Sequence, residues 1–145
     1  LAVHDITRKY NAIVWNPFSV ESGTVDAPLA RSRKDRKKVA IDQSGRRAVT
    51  HYRVLENFKQ FAHVECQLET GRTHQIRVHM SSIGHPLLGD DVYGSGKSPY
   101  NITGQALHAR VLGFVHPRTG KYMEFEAPLP DYFQKILNDL ESNGR

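Results

Sequence analysis

Ala62 to Met80, AHVECQLETGRTHQIRVHM, contains the change of period that decides the fold. Up to Glu69 apolar and polar residues alternate strictly, with Val64, Cys66 and Leu68 set against Glu65, Gln67 and Glu69. That is a strand with one buried and one wet face. Past Glu69 the spacing lengthens: Ile76, Met80 and Ile83 share one face of a helix, and His74, Arg77 and Ser81 share another. The pair Thr70-Gly71 turns the chain, Thr73 is the candidate N-cap, and Gly84 follows as a stop, which predicts a helix over about His74 to Ser82. Arg77 therefore points where His74 points, away from the packed stripe. Arg72 precedes the cap, where a cation does not favour the positive helix end and needs another reason to be present.

Working outward, VTHYRVLENF (Val49 to Phe58) is the hairpin partner of that strand, and YNAIVW (Tyr10 to Trp15) is a short, apolar, buried strand. Between them GTVDAPLARS offers Gly, Asp and Pro as breakers. Downstream, ALHARVLGFVHP and KYMEFEAPLP flank the turn HPRTG and form a second hairpin. The last stretch, PDYFQKILNDLESNG, spaces Phe133, Ile136, Leu137 and Leu140 as the buried stripe of an amphipathic closing helix, with Asp131 near its start and Gly144 after it. No repeat or long linker interrupts the chain. The expectation is one α+β unit, a mixed and mainly antiparallel sheet with packed helices.

The composition, 39% hydrophobic and 24% charged over 145 residues, is that of an ordinary globular domain. No apolar run approaches the roughly 20 residues that span a bilayer, and LAVHDITRKY lacks the features of a signal peptide, so no membrane partner and a cytoplasmic location are expected. A single cysteine, Cys66, agrees with a reducing compartment. The net charge of +5 is unevenly spread: residues 1–80 carry 14 basic against 8 acidic side chains, and residues 81–145 carry 6 against 7. A polyanionic partner would be met by the first part.

Several side chains admit two readings. Arg72 and Arg77 form either a solvated helix face or an anion site, for which the guanidinium fork suits carboxylate and phosphate. ARSRKDRKK holds Arg31, Arg33, Lys34, Arg36, Lys37 and Lys38 against Asp35, with Arg46 and Arg47 close behind. It is either a solvated loop or a phosphate-binding segment. Tyr10 is a core or edge residue, or a platform for an unstacked base. His74, His79 and His85 suggest a metal, but on a helix the first two diverge by about 140°, which argues against a shared ion. Cys66 alternates as a core residue.

Read in order, TGRTHQIRVHM, GHPLLGDDVYG and ALHARVLGFVHPRTG resemble the RluA-type pseudouridine synthases, closest to the branch that modifies large-subunit ribosomal RNA. The resemblance runs from TRKY to the closing helix. It implies a largely antiparallel sheet with packed helices, RNA as partner, no cofactor and no metal, and isomerisation of uridine by detaching, turning and rejoining the base through carbon. It places the family's tyrosine on Tyr10, against the target base, and the arginine that pairs with the catalytic aspartate on Arg77. Leu107 falls on the apolar wall of the uracil pocket, while Arg72 and His74 are left as substrate or RNA-backbone contacts.

One departure qualifies the match. The family's nucleophilic aspartate directly follows an Arg-Leu pair upstream of the tyrosine motif, and no such triplet occurs in this chain. The expectation is that residues 1–145 are the C-terminal portion of a catalytic domain whose upstream part, with the nucleophile and any RNA-binding domain, is absent. Such a piece has no synthase activity, its Arg77 faces a pocket without an aspartate partner, and its open sheet edges allow self-association. The alternative is a non-catalytic RNA-binding module.

Overall fold

The computed structural model describes residues 6–144. Its strands are β1 (Ile6–Trp15), β2 (Ser22–Asp26), β3 (Leu29–Arg31), β4 (Val39–Ile41), β5 (Val49–Asn57), β6 (Phe61–Leu68), β7 (Leu107–Val115) and β8 (Tyr122–Glu126). Its helices are α1 (Gln75–Ser82) and α2 (Asp131–Asn143). Six strands form one sheet in the order β2-β5-β6-β1-β7-β8, and β3 pairs with β4 in a separate ribbon. Every strand pairing described is antiparallel. The architecture is α+β, as expected.

The alternation in β6 sorts its side chains between two cores. Val64, Cys66 and Leu68 join Ala12 and Val14 on one face, where Ile76 and Met80 of α1 cover them. On the other face Ile13 and Phe61 meet Phe133, Ile136, Leu137 and Leu140 of α2. The closing helix thus buries the stripe that its spacing predicts, and Gly144 ends it in the left-handed region at φ 64. Leu87 and Leu88 enter opposite cores, because residues 86–88 run extended beside the end of β1, with Leu88 N–H donating to Ile13 O at 2.9 Å.

Three local expectations are corrected. β1 begins at Ile6 rather than Tyr10, since its first half pairs with β7 even though it is not apolar. Residues 22–31 are not merely breakers: β2 and β3 form on either side of Ala27-Pro28, with β2 held by β5. Ile83 caps α1 and is 37% exposed, so it does not complete the buried stripe.

Candidate active site

A pocket of about 290 Å³ opens where the start of α1 faces β1 and β7. It is lined by Tyr10, Leu68, Arg72, His74, Gln75, Ile76, Arg77, Gln105 and Leu107. All five residues assigned from the sequence to catalysis or substrate contact therefore meet here. Tyr10 reaches it from the middle of β1, at the bulge in the pairing with β7 between Lys9 and Tyr10, a distortion that commonly re-aims side chains beside functional sites. Leu107 stands two residues along, opposite Ala12. Its lining is mixed, with Tyr10, Leu68, Ile76 and Leu107 supplying apolar surface and Arg72, His74, Gln75, Arg77 and Gln105 supplying polar groups. The volume sits at the lower edge of the roughly 300–1,000 Å³ typical of small-molecule pockets.

The approach to α1 departs from expectation. Its N-cap is His74, in the left-handed region at φ 56, and no side chain caps the helix, so Thr73 does not play that part. The preceding loop is organised by Gln75, which is buried. Its Oε1 accepts from Thr70 Oγ1 at 2.8 Å and from Arg72 N–H at 3.1 Å, and its Nε2 donates to Val49 O and Thr50 Oγ1. Arg72 finds its reason nearby: Nε donates to Arg47 O at 2.8 Å, which pins the side chain across the loop.

Arg77 does have a carboxylate partner, which corrects the expectation that it lacks one. Its Nε donates to Asp90 Oδ2 at 2.8 Å and its Nη2 to Oδ1 at 3.0 Å. The face shared by His74, Arg77 and Ser81 is covered rather than solvated, because Ser81 Oγ also donates to Tyr93 O and His74 Nδ1 bonds Tyr93 Oη. Burial pushes the Asp90 carboxyl up, but the Arg77 hydrogen bond and the amides of Tyr93 and Val92 outweigh it and hold the group below the usual range. The same contact raises the Arg77 guanidinium. Asp90 is not placed as a nucleophile: its side chain is fully buried, and both oxygens are already engaged. Among the described residues no carboxylate lines the pocket, and Asp5 lies outside them.

The basic residues divide. Arg31, Arg33, Lys34, Arg36 and Lys37 are exposed on or beside the β3–β4 connection, with Lys38 partly covered. Arg31, Arg46 and Arg72 line a second cleft of about 250 Å³ that adjoins the first through Arg72. These three pair with no carboxylate among the described residues. Arg47 is instead committed to Glu69 at 2.9 Å, and Arg33 lies 3.7 Å from Asp42.

The three histidines considered as ligands have separate employment. His79 is buried, with Nδ1 at 2.8 Å from Thr50 Oγ1 and Nε2 at 2.9 Å from Ala27 O. His85 stacks on Phe18 with ring centroids 3.6 Å apart. No group of three potential ligands converges among the described residues.

The model of the RNA pseudouridylate synthase family matches residues 1–82. The chain belongs to that family. It is 56% identical over 139 residues to the RNA pseudouridine synthase YlyB of Bacillus subtilis, covering 96% of this chain and 46% of that protein. It is 50% identical over 153 residues to ribosomal large subunit pseudouridine synthase D of Zymomonas mobilis, covering 99% of this chain and 48% of that one. The chain thus spans about half the length of these relatives. Among solved structures, human RNA pseudouridylate synthase domain containing 4 superposes with a TM-score of 0.73 at 27% identity, over 94% of this chain and 62% of that one. Human RNA pseudouridylate synthase domain containing 1, at 23% identity and a TM-score of 0.75 over 97% and 70% of the two chains, shares the fold. What a synthase-family reading of the sequence missed is the support of the pocket: Asp90 and Tyr93 lie within GHPLLGDDVYG and Gln75 within TGRTHQIRVHM, but nothing in either stretch says that their side chains hold Arg77, His74 and the loop before α1.

Proposed function

We propose that these residues are the C-terminal portion of the catalytic domain of a pseudouridine synthase acting on large-subunit ribosomal RNA, an isomerase whose nucleophilic aspartate is supplied by upstream residues of the complete protein. The observation that carries this reading is the joining of Tyr10, Leu107 and Arg77 in one base-sized pocket. The reaction is balanced without oxidant or reductant: the N1–C1′ bond of uridine breaks, a C5–C1′ bond forms, the proton on C5 leaves and N1 gains one. Tyr10 packs against the detached base and assists removal of that proton. Leu107 and Ile76 exclude water from the base. Arg77 turns its remaining N–H groups toward the incoming carboxylate and keeps it ionised.

The exposed basic residues of the β3–β4 connection hold the RNA backbone, and Arg31, Arg46 and Arg72 carry that grip toward the pocket. A cytoplasmic setting fits a ribosomal substrate; among the described residues no helix is long and apolar enough to cross a membrane. In the isolated chain the outer strands β2 and β8 leave edges able to self-pair.

The test is conversion of uridine in a large-subunit ribosomal RNA fragment under single-turnover conditions. The complete protein converts it, and residues 1–145 alone do not. Conversion by residues 1–145 alone would overturn the assignment of the nucleophile. RNA binding without conversion by the complete protein would establish the alternative, a non-catalytic RNA-binding module.

A further inference from the structure

Asp90 and Tyr93 do not line the pocket, yet each grips a residue that does. Asp90 takes Arg77 by two parallel hydrogen bonds, which fixes the plane of the guanidinium as well as its charge. The carboxylate is itself fixed, because Oδ1 accepts the N–H groups of Val92 at 3.0 Å and Tyr93 at 3.1 Å. Gly89 makes this turn available: its φ is 81, and a Cβ at that position would run into Gly104 O, so there is no room for a side chain.

Tyr93 is the other grip. Its phenol oxygen accepts the Val39 N–H at 3.0 Å, which leaves its own proton available to the second neighbour, His74 Nδ1, at 2.7 Å. With the phenol donating, Nδ1 is the acceptor and the imidazole proton sits on Nε2. Nε2 has no hydrogen-bond partner among the described residues, and the ring lines the pocket. Burial, followed by the nearby charge of Arg77, lowers His74 below the usual histidine range, which favours the neutral ring. The Tyr93 ring also lies 5.1 Å from the Arg77 guanidinium, so the two grips are in contact.

We infer that the Asp90–Tyr93 turn is the positioning element of this pocket: Asp90 sets the plane in which Arg77 meets an anionic group, and Tyr93 fixes His74 as an Nε2–H donor to a carbonyl oxygen of the base. The inference rests on the uridine reading. A fixed donor favours uracil, whose ring carries two carbonyl oxygens, over a base that presents an amino group at the same place. Val39 opens β4 directly after the basic connection, so the same phenol joins the RNA-holding ribbon to the pocket.

The experiment uses the complete protein with Tyr93→Phe and Asp90→Asn. Three readouts are taken: RNA affinity, single-turnover rate at saturating RNA, and the imidazole nitrogen resonances of His74, assigned by their loss in His74→Gln. The wild type shows a bare Nδ1 and a protonated Nε2. In Tyr93→Phe that signature is lost, affinity stays within about two-fold, and the rate falls roughly ten-fold; in Asp90→Asn the rate falls on the order of 100-fold, the cost of misplacing a reacting group by about 1 Å. A wild-type His74 protonated on Nδ1 would overturn the inference, as would an active wild type whose two variants keep their rates. If Asp90→Asn does not fold, Tyr93→Phe decides, because it keeps the ring and loses only the hydroxyl. A wild type that makes no pseudouridine sinks the uridine reading instead, and the His74 resonances still decide the role of Tyr93.

Discussion

Arg77 is 11% exposed at its side chain and Asp90 is sealed completely, so the pair is isolated from the solvent screening that weakens surface ion pairs. Removing the cation leaves a buried carboxylate without its partner. Arg77→Ala therefore destabilises the protein by about 3 kcal/mol, at the lower edge of the range for broken buried pairs because the Val92 and Tyr93 amides remain. Chemical denaturation of the two forms checks this. In the complete protein Arg77→Lys is nearly as damaging to the rate as Arg77→Ala, since an ammonium cannot make the forked contact that Asp90 requires. Single-turnover pseudouridine formation by both variants is the measurement, and a lysine form that keeps most of the wild-type rate would show that charge alone suffices. The partner of Arg77 was hidden in the sequence for a physical reason. Asp90 lies in a segment with no helical or strand period, and nothing in its spacing says that the chain folds back over the polar face of α1.

At the scale of elements, the helices differ in how far pattern determines them. For α2 a stripe of four apolar residues and a terminal glycine were sufficient, because that helix meets one surface only. Helix α1 is enclosed on nearly all sides, with Gln75, Ile76, Val78, His79 and Met80 buried, so neither its covered polar face nor its cap could be read from period. The two candidates for organising its start give opposite expectations. Thr73→Ala changes stability by less than about 0.5 kcal/mol, whereas Gln75→Ala strands buried donors and acceptors and costs about 2 kcal/mol. Thermal melts of the two variants separate them. The β3–β4 ribbon was visible only as a run of charge, its strands being three residues each. Replacing Arg33, Arg36 and Lys37 with Ala should lower the slope of log affinity against log salt by about 0.7 to 0.9 for every phosphate that is no longer neutralised. An unchanged slope in a filter-binding titration moves the RNA path away from the ribbon.

For the molecule as a whole, acid acts on two histidines that its interior holds neutral. Burial lowers the His63 ring to a pKa of about 4 against 6.5 for a free histidine, helped by the charge of Arg110 and opposed by Glu65. His63 Nε2 lies 2.8 Å from Asn11 Nδ2, an arrangement in which the ring nitrogen accepts and stays bare. His79 is lowered as well, chiefly by burial, and its neutral ring bridges Thr50 on β5 to Ala27. The unfolded chain takes up protons first on both groups, so stability is complete above about pH 6.5 and falls as pH drops toward 4. Urea midpoints measured across that window test the sign, and His63→Gln should flatten part of the fall. The position of Cys66 follows the same logic of enclosure. It is fully buried in β6, between the central strand and β5, and burial raises its thiol to about 12. As the chain's one cysteine, it is a built-in clock. A thiol-reactive dye can reach it only when the middle of the sheet parts, so the labelling rate counts global openings and ignores fraying at the rim.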